Sequence, residues 1–244
     1  MAIFLKASWE NIIMANYAIP AELLLPYLPA GTSLDYYEGK TYVSLVGFMF
    51  KHTKLFNIPI PYLGTFEEIN LRFYVTAKDG DVIKKGVVFI NETIPYPLVA
   101  WVANKLYKEH YTTIPTTHNI TKTEQQQKVQ FNWQKNKSWY SIAVEASLHT
   151  TPIPPHSLEA YIYERYYGFT KINEKATELY TLQHPSWQLY TLSNYSINCN
   201  FAAMYGANFS LLNNTPPTSV LMAKGSNVAI EWKRNRLKIN YENH

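Results

Sequence analysis

The segment Phe66-Glu67-Glu68-Ile69-Asn70-Leu71-Arg72-Phe73-Tyr74-Val75 constrains the fold more than any other stretch of the 244 residues. Its aromatic and apolar positions read as a strand, and side chains along a strand alternate between two faces. One face carries Glu67, Ile69, Leu71, Phe73 and Val75 and reads as core. The other carries Glu68, Asn70, Arg72 and Tyr74, each about 7 Å from the next. A water-facing row is the ordinary outcome in an antiparallel sheet, but such rows draw on Thr, Lys, Ser and Glu. An acid, an amide, a guanidinium and a phenol in line suit a cavity. There a guanidinium meets an anionic or carbonyl ligand while a carboxylate balances charge or exchanges a proton. A barrel interior would provide that shelter.

Further strand patterns fall at 41–50, 82–92, 128–135, 138–148, 177–182, 187–196 and 228–232, with tight turns at Glu38-Gly39 and Asn136-Lys137. The run at 41–50 is apolar enough to be covered on both faces. Helices are few. One spans about 97–107 with Leu98 and Val102 on one face, one starts at Ser157 as N-cap with Glu159 in its first turn, and a short one falls at 200–205. Pro20, Pro26 and Pro29 confine 20–29 to short helical turns. No repeat and no polar linker divides the chain. Residues 1–244 therefore read as one α+β domain, mainly β, on a large, curved, antiparallel sheet.

Composition narrows the function by exclusion. The 22 basic and 18 acidic residues leave a net charge of only +4, and the densest basic run, at 233–238, reads as a solvated strand and tail. No nucleic-acid partner is expected, since that would need a basic face. No apolar window reaches 18 residues, so no membrane partner is expected either. The first residues, MAIFLKASWENIIMANYAIP, lack an uninterrupted apolar leader, and the expected location is cytoplasmic. Cys199 is the sole cysteine, which excludes a disulfide framework. The seven histidines show no i, i+4 pairing, and the nine glycines form neither a phosphate-cradling loop nor a serine-hydrolase elbow. No metal and no cofactor is expected.

The pattern Phe-X-Glu-X-Asn-X-Arg-X-Tyr-Val at 66–75 resembles the signature of an uncharacterised bacterial family, domain of unknown function 2071. Other features fit in order: Trp9, Leu23-Leu24, Leu28-Pro29, Val46-Gly47-Phe48, Ser157-Leu158-Glu159, Glu164-Arg165-Tyr166, His184-Pro185, Trp187 and Lys224-Gly225. The resemblance covers nearly the whole chain. It implies the fold group of acetoacetate decarboxylase, an antiparallel cone-like β-barrel with a few peripheral helices and an internal cavity. Decarboxylases of that group form a Schiff base through a lysine whose amine is kept unprotonated by desolvation and a neighbouring cation. The corresponding stretch here runs from Ala103 to Tyr111. It places Asn104 where relatives carry Arg, His110 where they carry Pro, and Tyr111 where the decarboxylases carry the lysine. Lys105 and Lys108 lie nearby at the helix end, where a cation suits the dipole.

These readings converge on a small-molecule ligand, a carboxylate or carbonyl compound, held in a β-barrel cavity. Arg72 would face the anion or polarised oxygen, and Glu68 would hold Arg72 or act as acid and base. Asn70 and Tyr74 would orient the ligand, while Tyr111 occupies the lysine's place and His110 adjoins it as donor or base. The residues alone leave open whether chemistry follows, and they leave a second reading in which Glu68–Arg72 is a structural buried ion pair. Arg165 is expected to anchor a buried carboxylate or carbonyl. Self-association into a homo-oligomer is implied by the resemblance only.

Overall fold

In the computed structural model, the structure describes residues 2–107 and 111–237. Fifteen strands form one continuous sheet. They are β1 (Ile3–Ile19), β2 (Thr32–Leu34), β3 (Thr41–Leu55), β4 (Ile58–Pro59), β5 (Phe66–Asp79), β6 (Val82–Ile94), β7 (Tyr111–Thr113) and β8 (Thr116–Lys122). After these come β9 (Gln126–Lys135), β10 (Ser138–Pro152), β11 (Tyr167–Asn173), β12 (Ala176–Gln183), β13 (Gln188–Asn198), β14 (Ser219–Glu231) and β15 (Asn235–Arg236). Three short α-helices interrupt them: α1 (Pro97–Tyr107), α2 (Leu158–Tyr163) and α3 (Phe201–Tyr205).

The strands run in the order β12-β11-β6-β5-β3-β1-β14, and β12 then pairs with β14 through Leu182 opposite Ile230, so this part of the sheet closes on itself. Closure removes free edges, the usual liability of a large sheet. Beyond β14 the sheet continues as β13-β10-β9-β8. Most pairings are antiparallel, while β6 pairs in parallel with β7 and β11.

Two cores follow from this arrangement. Ile69, Leu71, Phe73 and Val75 of β5 join Ile13, Leu45, Phe131 and Ile142 in one. Phe66 and Tyr74, on the other face of β5, join Met14, Val46, Ala100, Ile162 and Tyr163 in the second, which brings in α1 and α2. Consequently Glu68, Asn70, Arg72 and Tyr74 are all buried, between 1% and 8% exposed, and the water-facing alternative for that row is excluded.

Local chemistry sets the element ends as the sequence indicates. Ser157 Oγ accepts from Ala160 N at 3.1 Å and starts α2, and Asn200 Oδ1 accepts from Ala203 N at 3.0 Å and starts α3. Asn136 and Lys137 both take positive φ, 51° and 65°, as a two-residue hairpin turn requires. Glu38 and Gly39 do the same, although their flanks form only the isolated Tyr37–Lys40 bridge and not the expected pair of strands.

β1 is a strand that composition does not announce. Its run from Asn11 to Tyr17 is buried on both faces, so no alternation of polar and apolar residues marks it. Opposite Glu10 on β14 stands Gly225, with φ +82° and space for a Cβ only 1.9 Å from the Trp9 carbonyl oxygen. Gly225→Ala is expected to lower unfolding free energy by more than about 2 kcal/mol in urea titration, through backbone strain and a displaced β1.

Candidate functional site

A pocket of about 170 Å³ lies where α1, β7 and the ends of β1, β3 and β5 meet, and its walls are almost wholly apolar. Leu98, Val99 and Val102 of α1 form one side, and Phe50 and Phe66, stacked with centroids 4.8 Å apart, form another. The polar side chains in its lining are Glu68, Tyr111 and Thr53. Tyr111 Oη donates to Glu68 Oε2 at 3.1 Å, and Asn70 Nδ2 donates to Glu68 Oε1 at 2.9 Å. Both carboxylate oxygens are thus held, and the plane of the carboxyl group is fixed.

Tyr111 is itself clamped. The amide of Asn104, near the end of α1, donates to the Tyr111 carbonyl and accepts from the Tyr111 N–H, both at 2.9 Å. A neutral amide therefore fixes the backbone that presents the phenol. Lys105 is exposed at the helix end. Lys108 and His110 lie outside the described residues.

The structure brings Glu68, Asn70 and Tyr111 together but sets Arg72 and Tyr74 apart from them. Arg72 makes no ion pair with Glu68. Its Nη2 instead donates to the Ile162 carbonyl of α2 and approaches Met14 Sδ, both at 3.3 Å. Its Nε finds no partner among the described residues. Residues two apart on one strand face are already about 7 Å apart, so a pair four residues apart forms only if both side chains lean together. Asn70 and Tyr111 hold the acid elsewhere. The buried-ion-pair reading is corrected accordingly. Burial pushes the nearby Tyr163 phenol above the usual tyrosine range, with the positive charge of Arg72 opposing that shift.

Tyr74 belongs to another network. Its hydroxyl bonds Ser44 Oγ, which donates to Asn16 Oδ1 at 2.5 Å, and Asn16 Nδ2 donates to Ser219 Oγ at 3.0 Å. Because the Ser44 hydrogen is spent on Asn16, Tyr74 is the donor to Ser44. Above its ring sits Arg165, 4% exposed, whose Nη1 meets Asp35 Oδ2 at 2.5 Å and whose Nε donates to the Tyr161 carbonyl at 2.6 Å. The expected anchoring role of Arg165 is what the structure shows.

Glu92 is a residue that the sequence reading overlooks. It is 3% exposed and stands opposite Asn70 on one side and Tyr111 on the other, so two buried acids flank the Asn70 position on one face. The available signal was an acid inside an otherwise apolar strand pattern. Among the described residues, no three of His, Cys, Asp and Glu converge as a metal site would require, and no helix is long and apolar enough to cross a membrane.

The comparisons agree with this architecture. The model of the family domain of unknown function 2071, described as an uncharacterised conserved protein, matches residues 6–227. The chain belongs to this family. It is 25% identical over 192 residues to the uncharacterised protein YqjF of Bacillus subtilis (strain 168), covering 76% of this chain and 74% of that one. Its fold is similar to that of acetoacetate decarboxylase from Legionella pneumophila, with TM-score 0.67, 11% identity, and coverage of 97% of this chain and 88% of that one. It is also similar to the enduracididine biosynthesis enzyme MppR complexed with pyruvate, with TM-score 0.65, 8% identity, and coverage of 98% and 91%. The chain thus has the acetoacetate-decarboxylase-like fold, mainly β with a few helices, as expected.

A buried guanidinium whose partners are a carbonyl, a thioether and the Tyr74 ring, 5.8 Å away, meets no anion and recovers little of its desolvation cost. Arg72→Met is therefore expected to unfold in urea within about 1 kcal/mol of the parent, or above it. A loss of several kcal/mol would show that the bond to Ile162 holds α2 in place.

Proposed function

We propose that this family member binds a small, largely apolar carbonyl compound in the pocket beside Glu68, and that Glu68 exchanges a proton with the carbon next to the carbonyl. The observation that carries this is the pairing of Glu68 Oε2 with the Tyr111 phenol, 3.1 Å apart, in an otherwise apolar cavity of about 170 Å³. The volume is close to that of an engineered cavity of about 150 Å³ that accepts benzene, which supports a ligand of about six heavy atoms.

The chemistry follows from the donor set. A carboxylate is the base of the pair and a phenol the hydrogen-bond donor. With a ketone in place, Tyr111 turns its hydroxyl from Glu68 to the carbonyl oxygen. Glu68 then takes a proton from the adjacent carbon, and the enol or enolate that forms is held by the phenol. Returning the proton restores the ketone. No covalent bond to the protein is needed, in keeping with a tyrosine at position 111. Among the described residues no cation lines the pocket, so the neutral ketone is favoured over the keto acid, whose carboxylate would meet Glu68.

The structural relatives lend support at the level of ligand class. MppR is described in complex with pyruvate, a small carbonyl compound. Pyruvate carries a carboxylate as well as a carbonyl, so the preference for the carbonyl rests on the apolar lining of this pocket beside Glu68.

The test uses 2-pentanone in deuterated water. The parent is expected to melt higher with the ketone and to catalyse deuterium entry next to the carbonyl, read by proton NMR. Glu68→Gln should keep the melting shift and lose exchange, and Tyr111→Phe should slow exchange by about 10²-fold or more. Pyruvate should give no melting shift, and borohydride with the ketone should leave the protein's mass unchanged. Exchange that survives Glu68→Gln would remove Glu68 from the role. Absence of both melting shift and exchange would overturn the proposal.

A further inference from the structure

Glu67 and Glu68 are neighbours in sequence but face opposite sides of β5. Glu67, 7% exposed, lies on the side away from the pocket described above. Its carboxylate accepts from Thr116 Oγ1 at 2.7 Å and bonds the Nδ1 of His118, both on β8. A carboxylate can only accept, so Nδ1 carries the hydrogen of this contact and the ring is fixed in one orientation. His118 Nε2 makes no bond within the described protein, and the side chain is 41% exposed.

This imidazole lines a cleft of about 680 Å³ between β1, β3, β8 and β14. Lys51, Lys122 and Lys224 also line it, against Glu10 as the one carboxylate of the lining. Lys51 is engaged with Glu10 at 2.7 Å. Burial pushes the Glu10 carboxyl up, but the hydrogen bonds from Lys51 and Ser8 outweigh it and hold the group below the usual carboxylate range. Glu10 is thus neutralised by its own partner, which leaves Lys122 and Lys224 as the exposed cations facing the space. Ser8 and Ser226 also line it, with their hydroxyl hydrogens already given to Glu10 and to the Asn227 carbonyl. Gly225, whose φ of +82° and tight approach to Trp9 exclude a side chain, lies in the same lining.

We infer that this cleft is a second ligand site, for a small oxyanion such as a phosphate or carboxylate group, with His118 Nε2 as the directed polar contact and Lys122 and Lys224 as the charge. A carboxylate-held imidazole is an oriented donor or acceptor, and two lysines around it give the site its preference for anions. The site stands on its own residues and does not depend on the role proposed for Glu68.

The test is NMR of the histidine rings in the full chain, titrated at fixed pH and ionic strength with inorganic phosphate and, separately, with acetate. The expected result is a saturable shift of the His118 ring signals with one or both, while exposed His149 and His156 do not follow. A phosphate-only response assigns a phosphate group, and an acetate response assigns a carboxylate. In the K122A/K224A double variant the midpoint should rise by about tenfold or more, and Glu67→Gln should weaken it too, with cooperative thermal unfolding of each variant as a control for folding. Shifts that are linear and shared by all the histidines, an unchanged midpoint in the double variant, or no response to either anion would each overturn the inference.

Discussion

Neither face of β5 reaches water along 66–75, so each polar side chain on it must be met by protein. Asn70 bonds Glu68 on the same strand, and each of the others recruits a different element. Glu68 is met by Tyr111 of β7, Arg72 by the Ile162 carbonyl of α2, and Glu67 by Thr116 and His118 of β8. Tyr74 is met by a chain of side chains through β3 and β1 to β14. The positions of the short helices and of the edge strand β8 are in this sense set by the bonding needs of one strand, and the apolar clusters fill the space between.

Much of this was legible in the sequence, for identifiable reasons. The Ser157 cap, the short helix at 200–205 and the Asn136-Lys137 turn could be read because each depends on neighbours a few residues away. Burial of the Glu68–Tyr74 row was legible as well, because its mixture of groups has no purpose in water. What could not be read was the subdivision of that row. Four residues in line on one face suggested a single site, but the strand is long enough to pass beneath α1 at one end and α2 at the other, and only the three-dimensional cover shows which residue meets which. Glu92 was hidden for a related reason: its importance comes from facing Asn70 and Tyr111 across two pairings. β1 escaped notice because Asn11 and Asn16 interrupt its buried run, which leaves neither the alternation of a half-buried strand nor the unbroken apolar run by which 41–50 is read.

The fold shared with acetoacetate decarboxylase and the residues at the site separate two kinds of inheritance. In this chain the amide of Asn104, near the end of α1, fixes the backbone that presents the Tyr111 phenol to the pocket. A phenol polarises and donates where an amine would add to a carbonyl.

The back-to-back placement of Glu67 and Glu68 also limits how such a gene can drift. Loss or gain of one codon inside β5 would turn every acid and every aromatic ring to the wrong side together, exchanging oily and ionic surfaces through the middle of the molecule. Length variation among descendants is therefore channelled into the connections that flank this strand, at 56–65 and 80–81, while the strand itself can change only by replacement of one residue for another.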